Sequence, residues 1–155
     1  MNDLQANAIL ENARGFINAY EGSVKHHKII DTYNTLNPLP RGYKATYFDS
    51  WCAIFVSVVM LKSDILNFCF ECSCEKMLEK SKKQLTNEPH KCDLVFYGVK
   101  NISHVGIVED VRFNPDTSNY IITTIEGNYQ NTVGRRYIRF LKNDIPFNIK
   151  GFITL

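Results

Sequence analysis

Asp49-Ser50-Trp51-Cys52-Ala53-Ile54-Phe55-Val56-Ser57-Val58-Val59-Met60-Leu61 is the stretch on which the fold turns. From Trp51 to Leu61 it is apolar nearly all round, which suits a helix buried on every side. Two good N-cap residues, Asp49 and Ser50, stand directly before it. Such a helix needs partners to cover it. Upstream, Asp3 to about Ala19 puts Leu4, Ala8, Ala13, Phe16, Ile17 and Tyr20 near one helical face. Gly15 weakens that helix locally. From Glu21 to Phe48 the pattern is irregular and punctuated by Gly22, Pro38, Pro40 and Gly42. Loops with at most a short helix are expected there. Downstream, Ser73 offers a cap to a charged amphipathic stretch running through Gln84, and Pro89 closes the region.

The second half changes period. Asp93–Tyr97, Val105–Val111, Tyr120–Ile125, Arg136–Phe140 and Gly151–Leu155 are short and rich in β-branched and aromatic residues. Turn chemistry separates them at Asn114-Pro115-Asp116, Gly127-Asn128 and Asn143-Asp144-Ile145-Pro146. Helices followed by sequential strands predict an α+β fold. N-terminal helices would pack on a C-terminal antiparallel sheet of about five strands.

The chain has 155 residues, 45% hydrophobic and 22% charged, with a formal net charge of +2. That composition excludes a disordered chain and suits one domain spanning residues 1–155. The near-neutral charge argues against a nucleic-acid binder driven by phosphate neutralisation. No apolar run approaches membrane-spanning length. No basic n-region followed by an apolar h-region opens the chain, so synthesis in a cytoplasm without a secretory signal is expected. Five cysteines are too few for a disulfide scaffold, and the number is odd, so at least one thiol is free or paired outside the chain.

Cys52 falls in the first turn of the central helix, where free N–H groups and the positive end of the dipole stabilise a thiolate. A buried filler role is the competing reading for a cysteine in so apolar a run. A thiolate nucleophile needs a base, and the base an orienting group. His104 begins the strand His104-Val105-Gly106-Ile107-Val108, where its ring can project toward a helix packed on the sheet. Glu126, at the end of the next strand, can accept from that imidazole. His26, His27 and His90 lie in loop-like sequence. Trp51, Tyr47 and Tyr129 flank these positions and are candidates either for a substrate groove or for the core.

With those three residues in place, the sequence resembles the CHAP family, the cysteine, histidine-dependent amidohydrolases and peptidases that cut bacterial peptidoglycan on a papain-like fold. The resemblance runs over nearly the whole chain. Asp49–Ser57 resembles the nucleophile helix, Asp93–Tyr97 the first core strand, His104–Glu109 the strand of the catalytic base, and Ile125-Glu126-Gly127-Asn128 the segment carrying the acidic third member and a nearby asparagine. Glu71-Cys72-Ser73-Cys74, Arg135-Arg136 and Gly151-Phe152 resemble stretches of phage lysins of Gram-positive hosts. The resemblance implies Cys52 as nucleophile, His104 as base, Glu126 as orienting acid and Asn128 as a supporting or substrate-binding residue. It implies peptidoglycan as the partner, amidase or endopeptidase action, bacteriolysis after release from the cytoplasm by a holin-type or other non-signal route, and a wall-binding domain supplied elsewhere. Attraction to an anionic wall would rest on local patches such as Arg135-Arg136.

Two departures carry expectations. Cys92 stands where the family has glycine before its first core strand, so the turn is expected to be rebuilt around a side chain. Glu21–His27 lacks the spaced aspartates of a calcium loop, so neither calcium nor any other metal or cofactor is expected. Two alternatives remain open: a non-catalytic wall-binding domain, and a zinc or redox site built on Cys69, Cys72 and Cys74 with Cys92 or His90.

Overall fold

The computed structural model describes residues 1–155. Its central helix, α3 (Cys52–Lys62), is buried from Cys52 through Met60, as the all-round apolar run predicts. Three helices and a sheet surround it: α1 (Asp3–Gly15), α2 (Val24–Tyr33), α4 (Cys74–Ser81), and strands β1 (Leu94–Tyr97), β2 (His104–Asn114), β3 (Asn119–Tyr129), β4 (Thr132–Leu141) and β5 (Ile149–Ile153). The fold is therefore α+β, with the helices N-terminal and one antiparallel sheet of five strands, ordered β4-β3-β2-β1-β5.

The main core joins Ile9, Leu10 and Ala13 of α1, Ile29, Ile30 and Tyr33 of α2 and nearly all of α3 to the inner face of the sheet at Phe96, Val105, Ile107 and Ile125. A smaller cluster, including Val95, Val108, Ile122, Phe140 and Phe152, covers the opposite face. No helix is long and apolar enough to cross a membrane.

Four local expectations are corrected. The first concerns α2, ten residues long where the sequence suggested mostly loop. Its buried face is His26, Ile29, Ile30 and Tyr33, a regular i, i+3, i+4, i+7 stripe. A histidine in the first position disguises the stripe. Its imidazole is fully buried against the Trp51 ring, 4.8 Å between centroids, and Nδ1 accepts from the Gly22 N–H at 3.1 Å. Burying each apolar side chain of that stripe contributes about 1.5–3 kcal/mol, enough to outweigh weak local propensity.

Second, neither Asp49 nor Ser50 caps α3. The cap position is Trp51, and no side chain bonds the first turn. Asp49 instead closes its own loop, accepting from the Thr46 N–H at 2.6 Å and the Tyr43 hydroxyl at 3.0 Å. Ser73, by contrast, does cap α4, accepting from the Lys76 N–H.

Third, Gly127-Asn128 is not a turn. β3 runs through it to Tyr129, and the reversal falls on Gln130-Asn131, both with positive φ. The pairing of β3 with β4 shifts register between Glu126 and Tyr129. A β-carbon at Gly127 would lie 2.4 Å from Cβ of Phe55, so glycine is what lets β3 approach α3 there.

Fourth, the turn before β1 is not rebuilt around Cys92. Cys92 takes φ +70, the left-handed conformation a glycine would supply. That costs roughly 1–2 kcal/mol for a residue with a side chain. The buried side chain and the Cys92 N–H bond to the Val108 carbonyl, 2.8 Å, hold it there.

Candidate active site

The site forms where the N-terminus of α3 meets one end of β2 and β3. Cys52 is the first residue of α3, so its backbone N–H has no partner within the helix. Its side chain is 2% exposed. His104 is the first residue of β2, and the pairing of Ile107 with Ile125 brings it beside Glu126 of β3. His104 and Glu126 therefore meet, and the Cys52 thiol lies near enough to the His104 ring for each to shift the other's titration.

Glu126 is fully buried and is held at both oxygens. Oε1 accepts from the Tyr97 hydroxyl at 2.6 Å and from the Thr124 hydroxyl at 2.6 Å. Oε2 accepts from His104 Nε2 and from Arg136 Nη2, each at 2.8 Å. Room for the side chain comes from Gly106, where a β-carbon would lie 2.5 Å from Cγ of Glu126. Burial alone would raise the carboxyl pKa, but the hydrogen bond and charge of His104, with the Thr124 and Tyr97 hydroxyls, lower it below its ordinary value.

Because Nε2 is committed to Glu126, Nδ1 of His104 is the nitrogen left for Cys52. Burial opposes the imidazolium, yet hydrogen bonding to Cys52 and Glu126 and their charges push its pKa up to about 9. The Cys52 thiol moves the other way, well below its ordinary value. A hydrogen bond from Cys74 is the largest cause. It acts against burial, and the hydrogen bond and charge of His104 and the Ser50 hydroxyl add to it. The two shifts run in opposite directions and favour a thiolate at Cys52 facing an imidazolium at His104, with Glu126 on the far ring nitrogen.

The sequence did not point to Arg136, Tyr97, Thr124 or Cys74 as parts of the site. Arg136 lies between two rings, its guanidinium carbon 4.4 Å from the centroids of both Tyr97 and Tyr129. The clamp aims the guanidinium at Glu126. Arg135, next along β4, is engaged by Glu109 through Nη2 at 2.8 Å. The pair is thus tied into buried carboxylates and is not a free basic patch. An arginine on the strand beside an acidic candidate is the one signal that would have found Arg136.

The other candidates separate. Asn128, at φ +56, points its amide at the Ser50 hydroxyl, 3.4 Å away, and that hydroxyl lies 4.0 Å from Cys52 Sγ. Asn128 thus reaches the neighbourhood of Cys52 through Ser50 and has no bond to the His104 ring. Trp51 is fully buried and belongs to the core, not to a groove. Tyr47 stacks on His27, 3.9 Å between centroids, and donates to Asp31 at 2.9 Å, so it pins its loop to α2. Tyr129 serves as half of the Arg136 clamp. An open pocket beside Ser50 is lined by Arg41, Tyr43, Asp49, Ser50, Cys72 and Ser73.

The remaining cysteines do not gather into one cluster. Cys69 Sγ points to the Met77 carbonyl, Cys72 to Arg41 and Glu71, and Cys92 to the Ala6 carbonyl. Cys74 Sγ is instead 3.8 Å from Cys52 Sγ. His90 is at the surface and bonds Asp93. No three side chains of histidine, cysteine, aspartate or glutamate converge as metal ligands. Compared with protein-family models, curated proteins and solved structures, the chain matches none.

Proposed function

We propose that this chain is a cysteine hydrolase of the CHAP type that cleaves an amide bond in bacterial peptidoglycan. The observation that carries the reading is the Cys52–His104–Glu126 array, with the thiol pKa lowered, the imidazole pKa raised to about 9 and the carboxylate bonded to the far ring nitrogen at 2.8 Å. The peptidoglycan substrate rests on the order and spacing of the CHAP-like motifs around that array. The open polar pocket beside Ser50 suits a peptide carrying both carboxylates and amines.

Cys52 thiolate attacks the amide carbonyl carbon. The Cys52 backbone N–H at the start of α3 stabilises the oxyanion, a kind of donor worth roughly 10²–10³ in rate. The imidazolium of His104 protonates the leaving amine as the C–N bond breaks, which leaves a thioester on Cys52. Neutral His104 then takes a proton from water as it attacks, and the thiolate departs. Glu126 holds the ring in one tautomer throughout and stabilises its charged form.

Incubation with purified peptidoglycan tests this. Wild type releases new amino groups, and mass spectrometry of the fragments identifies the bond as the muramoyl amide or a peptide bond. Cys52→Ala lowers that release by at least about 10³-fold. Equal release by the folded variant, or none by wild type on any wall chemotype, overturns the reading.

A further inference from the structure

Cys74 takes no covalent or proton-transfer part in the chemistry above beyond its hydrogen bond to Cys52, yet it is the residue nearest in kind to the nucleophile. It opens α4 as Cys52 opens α3, so the two sulfurs meet at two helix N-termini, 3.8 Å apart. The approach is built. The Ser57 hydroxyl, inside α3, donates to the Glu71 carbonyl at 2.8 Å and accepts from the Glu71 N–H at 3.0 Å. The buried Glu71 carboxylate is gripped by Arg41 and by Lys80 of α4, each at 3.0 Å. These bonds hold the segment leading into α4 against the nucleophile helix. The other three thiols point to carbonyls or to the Arg41–Glu71 pair.

We infer that Cys52 and Cys74 form a reversible two-cysteine redox site, in which peroxide oxidation of Cys52 is resolved by Cys74 into a disulfide. The Cys52 thiolate attacks one oxygen of hydrogen peroxide, the O–O bond breaks, and hydroxide leaves Cys52 as a sulfenic acid. The Cys74 sulfur then attacks the Cys52 sulfur, the S–O bond breaks and water leaves. Two thiols lose two electrons and the peroxide becomes two waters. The sulfurs must close from 3.8 Å to the roughly 2 Å of an S–S bond. α4 is short, eight residues, and buries only Met77 among its own side chains, so it is the element able to move.

The order of events follows from the charges. While Cys52 is a thiolate, the hydrogen bond to it is the main cause keeping the Cys74 proton in place. Oxidation of Cys52 removes that acceptor and frees Cys74 to lose its proton. The bond shields Cys52 from the irreversible sulfinic state. That the bond also silences hydrolysis rests on the reading of Cys52 as the catalytic nucleophile, whereas the bond itself does not.

The test uses the full chain, reduced and then treated with hydrogen peroxide. Wild type is expected to fall from five titratable thiols to three, lose two hydrogens in mass, and yield one proteolytic fragment joining Cys52 to Cys74. A dithiol reductant restores all five. Cys74→Ser, and Cys74→Ala as a second variant, are expected to gain oxygens at Cys52 and to resist that reductant. A bridge to another cysteine overturns the inference. So does over-oxidation of Cys52 in wild type as fast as in the Cys74 variants. A correct bridge in a protein that hydrolyses no peptidoglycan when reduced sustains this inference and removes the functional reading instead.

Discussion

Glu109 and Glu126 are both buried carboxylates paired with arginines from β4, and they do different things. Glu109 accepts from Arg14 Nε of α1 at 2.6 Å and from Arg135 Nη2 at 2.8 Å. Both partners are permanently charged, and the arrangement ties the end of α1 to the sheet. Glu126 accepts from Arg136 as well, but its other charged partner is His104. Alternation along β4 produces the split. Arg135 pairs across the strands with Ile125 of the helix-side core, whereas Arg136 pairs with Thr124, whose hydroxyl bonds Glu126. A buried carboxylate–arginine pair is thus structural on one face of the sheet. On the other, a titratable ring and a thiol stand beside it, and the proposed chemistry uses them.

Three measurements separate these two glutamates. The largest effect is expected from Glu126→Gln. The amide keeps the shape but brings an N–H₂ group into a pocket that holds only donors. Hydrolysis is expected to fall by about 10²–10⁴-fold, the range set by loss of an orienting carboxylate. Glu109→Gln leaves the rate within about twofold, because its partners are partly exposed and far from any proton transfer in the site. Equal losses in the two variants would erase the distinction.

The pH profile comes next. The His104 pKa is pushed up to about 9, so the imidazolium that the proposed mechanism uses to protonate the leaving amine is present below that pH and lost above it. The rate is expected to fall as pH rises through about 9. The stability contributed by this pair has two parts of opposite sign. The part due to the raised His104 pKa is complete below the unfolded histidine pKa and disappears as pH rises through about 9, whereas the part due to the lowered Glu126 pKa is lost as pH falls through it. Glu126→Gln removes a negative charge that favours the imidazolium, so the alkaline limb moves to lower pH in single-turnover rates or in an NMR titration of the ring. In Glu109→Gln it stays near 9, and movement there would break the comparison.

The smallest effect is on stability. Glu109→Gln is expected to lower unfolding free energy by about 1 kcal/mol in urea melts, the value of one charge-assisted bond whose partners remain half in water. A loss several times larger would mean that Glu109 anchors more of the fold than the attachment of α1.

The chain's local patterns carried a large part of this structure. The apolar run, broken only by Ser57, fixed α3 at the centre, because a helix with no polar face has nowhere else to go. The short β-branched runs placed all five strands. Cys52 and His104 stood out as candidates because each opens an element, where a side chain can reach beyond it, whereas Glu126 lies inside β3 and not at the strand end expected for it. α2 was hidden by one residue: His26 occupies a core position that hydropathy scores as polar, and only the Trp51 ring against it makes that position apolar. The cap residues Asp49 and Ser50 were legible as types but not in their use, because Asp49 satisfies its own loop first.

What the sequence determined by itself was periodicity and residue chemistry, and therefore the α+β order of elements, a thiol and an imidazole at element starts and a carboxylate within the next strand. Only the tertiary structure decided which side chains meet. Cys74 is 22 residues from Cys52 and on another helix, yet its sulfur lies 3.8 Å away. Arg136 reaches Glu126 across a strand pair, with Tyr97 and Tyr129 as its clamp. Such contacts depend on register, twist and the few ångströms of clearance supplied by Gly106 and Gly127. None of these leaves a trace in local periodicity, because each is set by the simultaneous packing of elements far apart in the chain.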